Sequence, residues 1–209
     1  MLVTWTLWLS LLAACVVISF TPGAGAINTM SNALNQGWRR SFWGVLGQQA
    51  ALIVHVVIVA AGVGLLVSQS PVLFEVIRYA GVAYLVYLGV RLIIARPQPV
   101  ADIDAPRVRE RVWSIFRRGF WVNLLNPKAI VFFLAFVPQF IRLDRDPLPQ
   151  YVILIVTVMV VDVIVMWFFF AAAAKPFRRY TRTARGQRVL NVIFGALFIA
   201  VAGLLLFVH

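Results

Sequence analysis

The sequence has little charge, few acidic residues and one cysteine. Of its 209 residues, 12% are charged and 62% are hydrophobic, whereas a soluble globular domain has about 25% charged residues. So little charge cannot cover a surface that faces water, which excludes a soluble enzyme, a disordered binding segment and a secreted scaffold. The lone cysteine, Cys15, excludes an intrachain disulfide and a CxxC redox or zinc site.

Sequence motifs for enzymatic chemistry are absent as well. No Walker A loop, HExxH, GxSxG or EF-hand pattern occurs, so ATP hydrolysis and other hydrolytic chemistry have no visible machinery. The net charge of +12 is carried by residues between apolar runs, and we interpret it as a membrane topology signal rather than a nucleic-acid surface. We expect no enzymatic activity, cofactor, bound metal or nucleic-acid partner.

Long apolar segments are what the sequence does contain. A helix needs about 20 residues to cross about 30 Å of hydrocarbon, and continuous rather than alternating apolar runs predict helices, not a barrel. The connections are too short for a soluble domain, so we expect a single integral membrane domain over residues 1–209. The six segments are 5–20, 44–67, 72–94, 115–140, 151–174 and 189–208.

Basic residues predict the orientation of these segments. Loops one, three and five together carry 15 Lys and Arg, against two in loops two and four. The positive-inside rule then places the odd loops in the cytoplasm and both termini outside. No Lys or Arg precedes Arg39, so we expect the first segment to be a retained span rather than a signal peptide. A five-span topology stays the alternative.

An internal repeat relates the two halves of the chain. The pattern G-x-x-aromatic-x4-G starts at Gly81 and again at Gly195, an offset of 114, and a proline motif at residues 21–24 recurs at 126–129, an offset of 105. Three spans per half is an odd number, so the second half must insert upside down. The sequence predicts an all-α membrane protein of six transmembrane helices, a 3+3 inverted repeat with broken first and fourth helices. Repeat one covers about 1–96 and repeat two about 112–209.

The two proline motifs predict where a ligand binds. Proline lacks an N–H, so each break frees carbonyls and exposes the amides that start the next half-helix. Such an N-terminus carries partial positive charge that suits an anion such as a carboxylate. We expect the site at Pro22, Gly23 and Ala24 and at Asn126 and Pro127. A simple kink or the end of a span is the alternative at either break.

Few ionisable residues lie inside the apolar segments, where each is costly unless it is paired or wetted. His55 and Asp162 lie near the centres of the second and fifth segments, 107 residues apart, as the repeat predicts. Gln48 shares a helix face with His55, and Met159 and Met166 share one with Asp162, so we expect both faces to line a cavity. A packing role stays open for His55. The complete set is His55, Glu75, Arg78, Lys128 and Asp162, of which Glu75 and Arg78 are expected to pair with each other.

Several stretches of the chain resemble the lysine exporter (LysE/RhtB) family of amino-acid efflux proteins. The most specific is FWVNLLNPKAIVFF at 120–133; Thr21-Pro22-Gly23, the glycine-rich start of the second segment and the pattern at 81–89 support it. The resemblance covers nearly the whole chain and implies a bacterial inner-membrane exporter, driven by the proton motive force, of an amino acid or close derivative. Ala24 stands where the family's Pro-Gly-Pro motif has its second proline, which bears on the first break and on substrate choice.

These observations together predict a secondary transporter that exports a small neutral amino acid in exchange for protons. The half-helix amides near Gly23 and Ala24 and the Lys128 ammonium group are expected to hold the substrate carboxylate, with Asn123 and Asn126 adding hydrogen bonds. A cationic substrate would need more carboxylates than the cavity offers, which favours a neutral one.

The remaining roles concern the proton. Asp162 is expected to bind the substrate ammonium group or to carry the coupled proton. His55, a residue type whose unperturbed pKa of about 6.5 lies in the physiological range, is expected to act as relay or counter-ion. An ion or heavy-metal permease and an accessory subunit without a substrate stay open as alternative classes. Glycine-rich helix faces can pack within one chain or between two copies, so a homodimer also stays open.

Overall fold

The computed structural model describes residues 5–69, 71–96, 109–142, 144–176 and 183–207. These ranges are helical with short connections, and no strand occurs within them. Helix α7 continues directly into a π-helical segment, Ile164–Ala171. In chain order the α-helices are α1 (Trp5–Phe20), α2 (Ala24–Gln36), α3 (Trp38–Gln69), α4 (Pro71–Ile94), α5 (Val112–Leu124), α6 (Pro127–Phe140), α7 (Pro147–Val163) and α8 (Ala184–Phe207).

Both proline motifs interrupt a helix. Helices α1 and α2 meet at an angle of 55°, and so do α5 and α6. Pro22 falls in the first gap because it has no N–H for the helical ladder and restricts the residue before it. Pro127 is instead the first residue of α6, a position where the missing N–H is harmless. The expected breaks in the first and fourth apolar segments are therefore present.

The described part of the chain contains two to four candidate membrane spans. Helical stretches over Trp38–Gly62 and Pro147–Ala171 are each long and apolar enough to cross a bilayer, and each bent helix pair becomes a further span if its two members are counted as one. Helices α4 and α8 have 24 residues each, but in α4 the apolar stretch Tyr79–Ile94 is shorter than a full span. The six-span arrangement stays a prediction.

Helix α7, together with the π-helical segment that continues it, has an exposed apolar outer face and a buried inner face. Valines and an isoleucine at four-residue spacing are each about half exposed along its outer side, as expected of a surface that contacts lipid. Val158, Val161 and Val165 are buried on the other side, where they pack in the core with aromatic residues of α6. The exposed residues are Val152, Val156, Val160 and Ile164.

Glycines bring two helix pairs into backbone contact. A Cβ atom built on Gly119 of α5 would overlap Gly44 of α3, and one built on Gly195 of α8 would lie 2.5 Å from the Gly89 carbonyl oxygen of α4. Small residues allow such close approach between membrane helices. Each pair joins one helix from the first half of the chain to one from the second. These contacts fix the two halves, and the helix break in each, relative to one another.

Candidate substrate site at the two broken helices

A small cavity lies between the two helix breaks, α3 and α7. Its volume is about 50 Å³, space for a few water molecules, so the structure shows it closed to less than the size of an amino acid. The start of α2 contributes Gly25 and Ala26, and α6 contributes Phe132 and Phe133. The polar lining consists of Ser19, Gln48, Asn123, Asn126, Lys128 and Asp162.

A lysine that follows the second helix break donates hydrogen bonds to backbone carbonyls at the first break. Lys128 Nζ donates to Ile18 O at 2.9 Å and to Thr21 O at 2.7 Å. Ile18 O has no helical partner because Pro22, four residues later, has no N–H. The end of α1 also carries partial negative charge, which stabilises a cation there. A Cβ atom on Gly23 would lie 3.3 Å from Lys128 Cε, so the glycine leaves room for the buried lysine stem.

At the second helix break, a histidine of α3 contacts a backbone carbonyl that has lost its helical partner. The Asn126 side chain accepts a hydrogen bond from Lys128 N at 3.1 Å and so caps α6. That amide is the one that Leu124 O would accept in a continuous helix. His55 Nε2 lies 3.1 Å from Leu124 O instead. His55 is buried, its ring stacks on Phe133 with centroids 5.6 Å apart, and its Nδ1 atom has no partner among the described residues.

Asp162 is held by two neutral donors. Ser19 Oγ donates to its Oδ1 atom at 3.2 Å, and Gln49 Nε2 donates to its Oδ2 atom at 2.7 Å. Ser19 and Gln49 are both buried. Asp162 and Lys128 thus line the same cavity while each is bonded to uncharged groups. The cavity therefore presents a carboxyl group and an amino group, neither bonded to the other.

Two amides connect the helices around the cavity. Gln48 Nε2 donates to Gly25 O at 3.1 Å and to Thr29 Oγ1 at 2.9 Å, which joins α3 to α2. Asn123 Nδ2 donates to Gln48 O at 2.9 Å, which joins α5 to α3. The N-cap of α2, Gly23, provides no side-chain hydrogen bond. The first amides of α2 therefore have no side-chain cap at the edge of the cavity.

The structure places five of the eleven residues expected at the site in the cavity lining and the other six outside it. Gln48, together with the asparagines, Lys128 and Asp162 already described, lines the cavity. His55 lies behind Phe133, outside the lining, and Met159 packs against the apolar core. The remaining expected residues flank the cavity at the two breaks without lining it: Pro22, Gly23, Ala24 and Pro127.

Two polar residues of the site, Ser19 and Gln49, escaped the sequence reasoning. Both bind Asp162. Met166, which was expected on the same face as Asp162, lines the cavity from the π-helical segment. Gln49 follows Gln48 directly, and adjacent helical residues point about 100° apart. Two consecutive glutamines in an apolar segment were thus a signal that two different faces of α3 meet polar partners. Within the described ranges no three His, Cys, Asp or Glu side chains come together as a metal site would require.

Comparison with known proteins identifies the family. The LysE type translocator model matches residues 16–208. A homoserine/homoserine lactone efflux protein of Salmonella typhi is 38% identical over 202 residues, 97% of each chain. An uncharacterized membrane protein of Vibrio cholerae is 38% identical over 199 residues, 95% of each chain. Another from Bacillus subtilis is 29% identical over 197 residues, 90% of this chain and 91% of its own. No solved structure matches significantly.

These matches confirm the resemblance seen in the sequence, and they cover the helix breaks and the cavity. Proteins of this kind move solutes across membranes, which agrees with the apolar helices and with the exposed apolar side of α7. The chain belongs to the LysE type translocator family and is a membrane transport protein, not an enzyme.

Proposed function

We propose that this protein exports a small neutral amino acid from the bacterial cytoplasm in exchange for protons, with homoserine as the first candidate. The observation that carries the proposal is that Lys128 and Asp162 line one cavity at two broken helices. An amino acid carries a carboxylate and an ammonium group close together, so a fixed cation and a fixed anion complement both ends of it. The printed name of the Salmonella typhi relative supports homoserine or its lactone.

The carboxylate is assigned to Lys128 and the uncapped start of α2. Lys128 Nζ is bonded to two peptide carbonyls, and a carboxylate is a stronger acceptor for an ammonium group than a neutral carbonyl is. The amides that follow Pro22 and Gly23 supply further donors and positive helix-end charge. Asn123 and Asn126 line the same cavity and add hydrogen bonds when the cavity widens around the substrate.

The ammonium group and the proton are assigned to Asp162. Its two oxygens accept from Ser19 and Gln49, so one carboxylate is oriented by neutral donors and can neutralise either a proton or an ammonium group. Because both compete for the same oxygens, proton binding from outside displaces the substrate, and this competition couples the two movements. His55, next to the second break, is a candidate relay.

The repeated order of helices supports an inverted 3+3 arrangement of six spans. Each half contains a broken pair, a long helix and one further helix, and both breaks bend by 55°. Repeat one then ends near residue 96 and repeat two begins near 112, with both termini outside according to the positive-inside rule. The homodimer stays a prediction.

Transport by the purified protein in liposomes tests this function. Vesicles loaded with homoserine, threonine, leucine or lysine are compared with and without an imposed pH gradient. We expect gradient-driven movement of homoserine and none of lysine. Movement of lysine alone would contradict the neutral substrate, homoserine movement that ignores the gradient would contradict proton exchange, and no movement of any of the four would contradict the transport of these amino acids.

A further inference from the structure

We propose that Arg118 is a second carboxylate-binding site, which receives the substrate on the cytoplasmic side, and that Glu110 is the internal carboxylate that occupies it between substrates. This inference rests on the proposed function and adds a docking site away from Lys128 and Asp162. It concerns the junction where the end of α2, the start of α3 and the start of α5 meet.

Arg118 binds a partly exposed carboxylate with one amino group and a buried asparagine with the other. Arg118 Nη1 lies 2.7 Å from Glu110 Oε2, and the two side chains are 39% and 30% exposed. Its other amino group, Nη2, donates to Asn32 Oδ1 at 2.5 Å, and Asn32 is 1% exposed. A guanidinium group is a strong, charge-assisted donor to carboxylates, and Glu110 accepts from its Nη1 atom. The Glu110 carboxylate therefore occupies the position that a substrate carboxylate would take.

Glu110 is fixed through its backbone and only partly through its carboxylate. Gln36 Oε1 accepts from Glu110 N at 3.0 Å, and Arg40 Nη2 donates to Glu110 O. The side-chain oxygens accept from Arg118 and more distantly from Ser114 Oγ at 3.4 Å and Gln36 Nε2 at 3.5 Å. Partly exposed ion pairs are weak because water and salt screen them. The carboxylate can therefore leave Arg118 while the backbone stays in place.

Unpaired amide donors lie directly behind Arg118. The Nδ2 atoms of Asn28 and Asn32, which are 8% and 1% exposed, have no hydrogen-bond partner among the described residues. A Cβ atom on Gly44 would overlap Asn32 Nδ2 and would lie 3.6 Å from Asn28 Nδ2, so both amide groups face the space beside this glycine. Buried donors without acceptors are destabilising and need an explanation. A passing carboxylate would provide the acceptor.

The polar face of α2 continues from these amides to the central cavity. Thr29, one turn before Asn32 and Ala33, accepts a hydrogen bond from Gln48, which lines the cavity. Polar residues at steps of three or four lie on one helix face, with about 5.4 Å between turns. The proposed route for a carboxylate that leaves Arg118 therefore passes the Asn32 and Asn28 amides and then Thr29 and Gln48 at the edge of the cavity.

Transport kinetics test the docking role. If Arg118 receives the carboxylate, R118Q should raise the KM for homoserine about tenfold and leave kcat unchanged, because one charge-assisted contact is lost before the central site is reached. The matched control is R145Q, which removes another partly exposed arginine beside an aspartate and should leave both constants unchanged. An unchanged KM for R118Q, a loss confined to kcat, or the same effect in R145Q overturns the proposal. Wild-type protein that moves no homoserine overturns the proposed function and this inference with it.

Thiol labelling tests the displacement of Glu110 without relying on transport. A single cysteine is placed at Asn28 in a C15A background and labelled with a charged methanethiosulfonate in inside-out vesicles. We expect slow labelling that accelerates severalfold when homoserine is added, and no acceleration by homoserine lactone, which has no free carboxylate.

A variant of Glu110 completes this experiment. E110Q should label rapidly without homoserine, whereas D144N, which removes a carboxylate from a comparable exposed pair, should label slowly. Should E110Q fail to fold, the homoserine dependence of the chain with intact Glu110 decides the matter alone. Labelling that is independent of homoserine, or equal acceleration by the lactone, overturns the proposal.

Discussion

Lys128 Nζ donates to Ile18 O, the carbonyl that loses its helical partner because Pro22 has no N–H. Lys128 follows Pro127, the second proline of the repeated motif, and supplies the hydrogen-bond donor that is missing at the break caused by Pro22. In a similar way, His55 Nε2 contacts Leu124 O, the carbonyl without a helical partner at the break before Pro127. Each break therefore depends on a residue from the other half of the chain, so a movement of one half changes the polar groups available in the other.

Replacing Lys128 by alanine should abolish homoserine binding and also lower stability. The change removes the proposed partner of the substrate carboxylate and leaves Ile18 O and Thr21 O without their donor. A buried carbonyl without a partner costs about 1–3 kcal/mol, so the melting temperature should fall while the protein still folds. Calorimetric titration with homoserine measures the binding, and thermal unfolding measures the stability.

The exposed Lys175 is the matched control for that substitution. K175A should bind homoserine normally and unfold at the wild-type temperature. If K128A is less stable but keeps wild-type affinity, Lys128 is a structural cap for α1 and not a substrate ligand.

Replacing Asp162 by asparagine should separate substrate movement from the pH gradient. Asparagine keeps an oxygen that accepts from Ser19 or Gln49, but it cannot bind and release a proton in this range. Homoserine flux through D162N in liposomes should then be independent of an imposed gradient. D144N, at an exposed position, should keep the response. A D162N protein with wild-type coupling would remove Asp162 from the mechanism.

The sequence predicted the breaks and the convergence of Lys128 and Asp162 because both depend on local chemistry. Proline lacks a donor wherever it stands, and an ionisable residue in an apolar segment must face the interior or water. The LysE family assignment, which the comparison confirms, likewise followed from a short specific motif around Asn126.

The contacts between the two halves were beyond sequence reasoning. The bond from Lys128 to Ile18 joins residues 110 positions apart, and no periodicity fixes which helices pack side by side. Gln49 binds Asp162 although Gln48 was the expected cavity residue, because α3 presents consecutive residues to different neighbours. Of the two methionines expected beside Asp162, Met166 lines the cavity and Met159 does not. The π-helical segment that begins at Ile164 changes the helical phase after Asp162, which α-helical spacing does not contain.

Replacing Pro22 by alanine should stabilise the protein and impair transport. Alanine restores an N–H for Ile18 O and favours a continuous helix, since proline inside a helix costs about 3 kcal/mol. Lys128 would lose that carbonyl as a partner, and the uncapped start of α2 would disappear. A higher melting temperature with lower homoserine flux is expected.

Pro138, inside α6 and away from the cavity, is the control, and P138A should not reduce flux. Equal flux in P22A and wild type would show that the break is a simple bend.

Replacing Gly119 by alanine should separate α3 from α5. The added Cβ atom would overlap the Gly44 carbonyl group, a backbone atom that cannot rotate away, and overpacking of this kind costs about 1–3 kcal/mol or more. The melting temperature should fall, and the hydrogen bond from Asn123 to Gln48 O should be lost as the helices move apart. At Gly62, inside α3, no atom lies within 4 Å of a built Cβ, so G62A should unfold at or above the wild-type temperature, because alanine favours a helix over glycine by about 1 kcal/mol. A G119A protein that is as stable as G62A would show that α3 and α5 are not in backbone contact.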